Sequence, residues 1–469
     1  MTRTSSREQV ERALARADEV EPLVASVCTR NGAALDQARE LDAEAAGGRV
    51  RGPLHGLPVL VKDNIDTADL PTTAGSLALA GQPPPAADAP LVRRLRDAGM
   101  VVLGKANLSE WANIRDAAST SGWSAYGGLT RNPYALNRSA GGSSSGSGAA
   151  VAAGITSYAV GTETDGSITC PAAFNGCVGI KPTVGLVPTD GVVPVSRSQD
   201  SPGPLARTVR EAAALLGALA ADGTDYAAHA VAGRLAGKRV GVPRRELWGY
   251  SSHADRHAER ALELLSAQGA VVVDGTEVES MLGFDRAPEL LVMLAEMREG
   301  LAGYLATRPG DGPRTLEDVV AFNREHADVE LAHFGQDLFE AALSGPRVGS
   351  HEYDEARARC LRLARDDGID AVLREHDLDA LVTPSYPPAM PIDLVNPESL
   401  EGSCTSAAAM AGYPLLTVPA GLAAGLPVAV TFWGAAGSEA TLVEIAHGYE
   451  AARDADSGPL PEPAFRPFV

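Results

Sequence analysis

Three features of the 469-residue sequence predict an α/β protein. Short apolar runs of strand composition end abruptly in polar or glycine-rich turns, and segments of helical periodicity alternate with them. The balance of 45% hydrophobic to 21% charged residues is that of a chain with a large buried core. At about 150 residues per domain, length alone would allow about three domains, yet single α/β domains of about 250 or more residues are common. No internal repeat and no long disordered linker divides the chain.

Ser5 and Glu8 have the spacing of a capping box, and Val10, Ala13, Leu14 and Ala17 recur at helical spacing, so an amphipathic helix is expected first and a second over 33–46. Residues 57–61 read as a strand running into Lys62, Asp63 and Asn64; open α/β sheets gather their sites at such carboxyl ends. From Arg138 a Gly/Ser loop leads into a small-residue helix, a strand over 157–161 and a second glycine-containing turn. Between about 211 and 379 the pattern is mostly helical, with strands at 239–243 and 270–273 and a loop at RPGDGPR. LDALVTP, YPLLTVPAG and LPVAVTFWG restore strand composition before a final helix over 438–453.

Composition narrows the function. Lys and Arg number 40 against 60 Asp and Glu, and the net charge of −20 offers no global field to a phosphate backbone or an anionic membrane. Neither nucleic acid nor membrane is an expected partner. The most apolar stretches, 149–160 and 415–432, are interrupted by Gly, Ser, Thr or Pro and fall short of the ~18 uninterrupted residues of a span. The opening residues scatter charges where a signal peptide needs an apolar run. Cys28, Cys170, Cys177, Cys360 and Cys404 form no CxxC pair, which suggests neither a disulfide framework nor a zinc cluster. A soluble, cytoplasmic protein is expected.

The segment GGSSSGSG could be a flexible linker, but it runs directly into AAVAAG and so reads as a turn tied to a buried helix. It lacks the Gly-Lys-Ser/Thr of a phosphate loop. TETDGSI is by itself an ordinary turn, and Lys62 by itself an ordinary surface lysine. Together they suggest chemistry. A serine nucleophile needs a base, and none of the nine histidines lies in either serine-rich segment. A lysine can serve when burial lowers its pKa, and one directly after an apolar strand is suitably placed. No motif calls for a metal, nucleotide or flavin.

PLHGLPVLVKDNID, GGSSSGSGAAVAAG, GTETDGSITCPAAFNGCVGIKPT, SQDSPGPLARTV and YPLLTVPAGLAAGLPVAVTFWG lie in one order across the chain. In these motifs the chain resembles the amidase signature family of Ser-Ser-Lys hydrolases. The family separates its two active serines by a fixed interval, and residues 143 and 167 are 24 apart as that pattern requires, which selects Ser143 from the run Ser143, Ser144, Ser145. The resemblance implies Ser167 as nucleophile, Ser143 as bridging serine and Lys62 as base. It implies a backbone oxyanion hole at Thr164, Asp165, Gly166 and Ser167, with Gly142 and Ser144 supporting and a cis peptide before Ser143. An oxyanion-hole donor is typically worth about 3 kcal/mol.

The fold so implied is a single large amidase-signature domain over 1–469, with a mixed central β-sheet flanked by helices. Its parts would be a catalytic core at about 50–210, a helical substrate rim at about 211–380 and a C-terminal return to the core at about 381–469. Two departures from the family's commonest form stand out. Where that form reads Asp-Thr-Gly-Gly-Ser, this chain has Glu163, Thr164, Asp165, Gly166 and Ser167, and Thr169 replaces a frequent Arg. Asp165 must point its carboxylate away from the oxyanion. The variant turn, the Cys-Pro after it, and RTLEDVVAFNREHADVELAHFGQDLFEAAL resemble the peptide amidase branch.

The expected activity is hydrolysis of carboxamides, foremost the C-terminal amide of peptides, without cofactor and without an obligate protein partner. Two alternatives stay open: the glutaminase component of a tRNA-dependent amidotransferase, and a non-catalytic binding protein on the same scaffold. Cys170 reads as a small buried hydrophobe and His55 as a hydrogen-bonded turn residue. Asp63 and Asn64 are candidates to orient Lys62, and Thr183 and Asp200 to brace the core.

Overall fold

The structure, a computed structural model, describes residues 4–245 and 247–469. Fifteen strands are present among them: β1 (Val27–Arg30), β2 (Pro58–Lys62), β3 (Val101–Ala106), β4 (Trp123–Ser124), β5 (Gly128–Leu129), β6 (Arg131–Asn132), β7 (Ala135–Ser139), β8 (Tyr158–Glu163), β9 (Val178–Lys181), β10 (Ser201–Ala206), β11 (Arg239–Val242), β12 (Val271–Asp274), β13 (Ala380–Pro384), β14 (Leu415–Ala423) and β15 (Leu426–Trp433). Eleven of them form one sheet in the order β1-β3-β2-β8-β10-β9-β14-β15-β13-β11-β12. Pairing is parallel for β3-β2-β8 and for β13-β11-β12, and antiparallel between them. The expected mixed sheet flanked by helices is therefore the fold, in one large domain.

The elements read from the sequence lie close to their expected places. Ser5 caps the first helix, Ser6–Val24, by accepting from Glu8 N, without the reciprocal half of a capping box, and Asp42 of helix Ala34–Ala46 takes two further free N–H groups, those of Ser6 and Arg7. The strand expected at 57–61 runs one residue further and includes Lys62. β1 and β3 are elements that periodicity did not single out. β3 is wholly buried beside β2, so it lacks the alternation that marks a half-exposed strand. β10 carries Pro202 and Pro204 at positions outside its short pairing with β9, which spans only Leu205 and Ala206.

Two cores cover the two faces of the sheet. On one face Val59, Val61, Val102, Val160, Leu416 and Phe432 pack with helices Val209–Leu219, Ser252–Ala267 and Glu439–Ser457. On the other, Leu60, Leu103, Ala159 and Leu205 pack with Ser6–Val24, Ala34–Ala46 and Ser145–Ala152. Successive strand residues alternate between faces, so Lys62 shares the face of Leu60, toward helix Ser145–Ala152. A third core joins Trp111 and Ile114 to Met293, Met297, Leu301 and Phe339 of the mostly helical stretch. Among the described residues no helix is long and apolar enough to cross a membrane.

Candidate active site

β2 is buried along its whole length between two parallel neighbours, and its last side chain is an amine with no solvent contact. The β2–β8 ladder ends at Val61 and Val160, and Thr162 just beyond it supplies acceptors. Lys62 Nζ donates to Ser143 Oγ at 2.7 Å, Thr162 Oγ1 at 2.9 Å and Thr162 O at 3.2 Å. Asn64 Nδ2 donates to the same Thr162 hydroxyl at 2.9 Å. Burial disfavours the ammonium and lowers the Lys62 pKa to about 7, although Asp200 and Glu163 pull the other way.

The hydroxyl-rich loop is the opposite of a linker. Ser144 Oγ donates to Thr162 O at 3.0 Å, Ser145 Oγ to Gly141 O at 2.6 Å and Ser147 Oγ to Val160 O at 3.0 Å. The first and third tie the start of helix Ser145–Ala152 to β8, and the second closes the loop on itself. The Gly142–Ser143 peptide is cis. A Cβ on Gly142 would lie 2.3 Å from Ser109 Oγ, so any other residue there would have to displace that hydroxyl. Ser144 N donates to Ser167 O at 3.0 Å and so joins the two serine segments. No hydrogen bond links the Ser143 hydroxyl to that of Ser167 among the described residues.

Ser167 follows the end of β8 after a three-residue turn, and buried carboxylates brace that turn on both sides. Glu163 accepts from Ile168 N at 2.7 Å, Thr169 N at 2.8 Å and Thr169 Oγ1 at 2.9 Å. Asp200 accepts from Thr164 Oγ1 at 2.6 Å and from the N–H groups of Val195 and Ser196. Burial raises both pKa values, that of Asp200 to about 6. Asp165 turns its carboxylate toward Thr405, Ser406 and Arg286, as its place beside the amides requires. Gly166 has φ +85°, and a Cβ there would come 2.5 Å from Tyr386 Oη.

Among the described residues, the N–H groups of Asp165, Gly166 and Ser167 have no protein acceptor. They lie along a cleft of about 650 Å³ lined also by Gly142, Thr164, Glu289, Met293 and Tyr386. Among the described residues no group of three or more His, Cys, Asp or Glu could hold a metal ion.

A family model described as Amidase matches residues 8–443. The chain belongs to the amidase family. It is accordingly an amidohydrolase, of a family characterised by a Ser-Ser-Lys triad. The native peptide amidase of Stenotrophomonas maltophilia superposes with a TM-score of 0.91 at 45% identity, over 98% of this chain and 96% of that one. A protein of Arabidopsis thaliana named a probable amidase is 38% identical over 96% of this chain and 87% of its own length. The A component of the glutamyl-tRNA(Gln) amidotransferase of Salinispora arenicola is 36% identical over 92% of this chain and 89% of its own length.

Within this amidase, other residues singled out in the sequence take lesser places. Cys170 lines the cleft, but it is buried and its thiol is pushed far up by burial. His55 accepts from Arg51 N and bonds Leu41 O, against the second helix. Thr183 binds Glu439 and Gly437, and Asp63 accepts from Thr73 and pairs with buried Lys105 at 3.2 Å. Thr162, Arg286, Glu289, Tyr386, Thr405 and Ser406 were not singled out by the sequence. Thr162 lies in the GTETDGS motif and could have been found there; the others come from segments with no local signature.

Proposed function

We propose that this amidase hydrolyses carboxamides, foremost the C-terminal amide of peptides, to the free acid and ammonia, with Lys62, Ser143 and Ser167 as its catalytic residues. The observation that carries the chemistry is the 2.7 Å bond from the solvent-free Lys62 amine to Ser143, with a pKa near neutrality. Neutral Lys62 accepts the Ser143 proton as Ser143 takes that of Ser167, and Ser167 Oγ adds to the amide carbon. The amides of residues 164–167 hold the oxyanion. Ser143 returns a proton to the leaving nitrogen, the C–N bond breaks, and ammonia departs from an acyl-enzyme. Water then attacks by the same relay in reverse and releases the acid.

The peptide-amide substrate rests on the 45% identity to a peptide amidase across nearly the whole chain. The helical stretch at about 211–380 would form the substrate rim, and Arg286, Glu289, Met293 and Leu338 of that stretch do line the cleft. The proposal includes a reducing cytoplasmic setting, with all five cysteines free, and no obligate protein, nucleic-acid or membrane partner. A glutaminase reading has support from the 36% identical amidotransferase component, and would show as glutamine hydrolysis coupled to transamidation.

Ammonia release with mass spectrometry of products, on peptide amides, small carboxamides and glutamine, tests both. Deamidation of peptide amides that falls at least about 1,000-fold in Ser167→Ala is expected. Unchanged activity in that variant would overturn the assignment of the nucleophile, and turnover of glutamine alone would replace the substrate.

A further inference from the structure

Asp165 is an anomaly in the turn. It puts a carboxylate immediately before Gly166 and Ser167, whose free amides line the cleft, at a position where the commonest family form has glycine. A negative charge there opposes the negative charge that an oxyanion would develop. Its side chain is only 8% exposed, so water screens it poorly. The structure surrounds it with donors: Thr405 Oγ1 to Oδ1, and Ser406 Oγ at 2.9 Å and the Arg286 guanidinium to Oδ2. Arg286 is the one cation in this set. Through Nε it also binds Glu289 at 3.0 Å, and Glu289 is steadied by Gln199 Nε2 at 3.1 Å.

We propose that Arg286 is a positioning residue that neutralises Asp165 and aims it away from the oxyanion, so that this chain tolerates an acid inside its own oxyanion turn. The inference rests on the proposed roles of Ser167 and the 164–167 amides. Asp165 is the first cause of the raised guanidinium pKa, in keeping with a pair held together by charge. Two hydroxyls and a cation consume both carboxylate oxygens, which leaves the backbone amides as the polar groups the turn presents to substrate. Because Arg286 is itself 57% exposed, solvent weakens the pair, and the expected effects are correspondingly moderate.

The test is a double-mutant cycle read as kcat and KM on a peptide amide, with melting curves for each variant. Arg286→Gln is expected to lower kcat about 10-fold with little change in KM, because the Asp165 charge is left uncompensated beside the reacting atoms. Adding Asp165→Asn should restore kcat to within about threefold of the Asp165→Asn single variant, and Arg286→Lys should keep most of the activity. Thr405→Val supplies a second arm, since it removes a donor from Asp165 without altering Arg286, and Asp165→Asn should rescue it too. Simple additivity in both arms, with no rescue by Asp165→Asn, would overturn the proposal, as would a loss confined to KM. A fluorophosphonate probe on the wild-type protein separates the two levels. Labelling of Ser167 without rescue refutes the pairing alone, whereas no labelling at Ser167 removes the nucleophile assignment and the pairing with it.

Discussion

The two walls of the cleft are built differently. One, at residues 142 and 164–167, is backed by the ends of β2 and β8 and the Gly/Ser loop, where Lys62, Thr162, Ser143 and Ser144 have at most 7% of their surface exposed. The other is assembled from the helix Ala287–Thr307, the residue preceding it and the 385–405 loop, and it mixes buried Glu289 with exposed Arg286. The first wall keeps its amine out of water, and burial is what brings the Lys62 pKa down to about 7, where an amine in water would stay charged. The second combines a buried acid, Glu289, with an exposed cation, Arg286, that reaches across to Asp165.

The sharpest way to break this contrast is Lys62→Met, which keeps an unbranched apolar stem and removes the base. Turnover should fall about 1,000-fold or more while the fold persists. Stability gives a second reading. The folded pKa of about 7 lies below the ordinary value of 10.5, so the unfolded chain binds more protons between those values and Lys62 makes stability rise with pH across that window. Below about 7 both states are protonated and the full penalty of a buried ammonium remains. The gain in melting temperature from Lys62→Met should therefore be larger at about pH 6 than at about pH 9.

The same pKa sets the next expectation. kcat/KM should fall about tenfold per pH unit below an apparent pKa near 7 as Lys62 takes up its proton, and should show no acid limb there if another base operates. The smallest effect belongs to the outer wall. Glu398 accepts from Ser121 N at 2.8 Å and from its hydroxyl at 2.7 Å at the cleft edge. Glu398→Gln should move KM by about threefold and leave kcat nearly unchanged. A loss in kcat would show that Glu398, like Arg286, acts on the chemistry and not on binding alone.

Much of the inner wall was legible in the sequence because its residues act through local geometry. The amidase-signature motifs and their 24-residue serine interval singled out Lys62, Ser143 and Ser167. The apolar run before Lys62 made burial plausible, and the structure buries it on the face of Leu60. The serines of GGSSSGSG lie one helical start away from β8, and the hydroxyls of Ser144 and Ser147 bond to it. β1 and β3 escaped because a strand buried on both faces loses its alternation and a four-residue edge strand scarcely has one.

The sequence by itself determined the candidate set and its order: Lys62 at the end of an apolar strand, and two serine turns 24 residues apart on either side of a small-residue helix and a strand. These relations are short-range, governed by pleat, helix start and turn, and they leave periodic traces. Only the tertiary structure decided the partner of Asp165 and the makeup of the far wall. Arg286 meets Asp165 across 121 residues of chain, and Thr405 and Ser406 across 240 and 241. Contacts of that separation arise from how the helical stretch and the C-terminal strands return to the sheet, and a charge pair of that kind has no period to read.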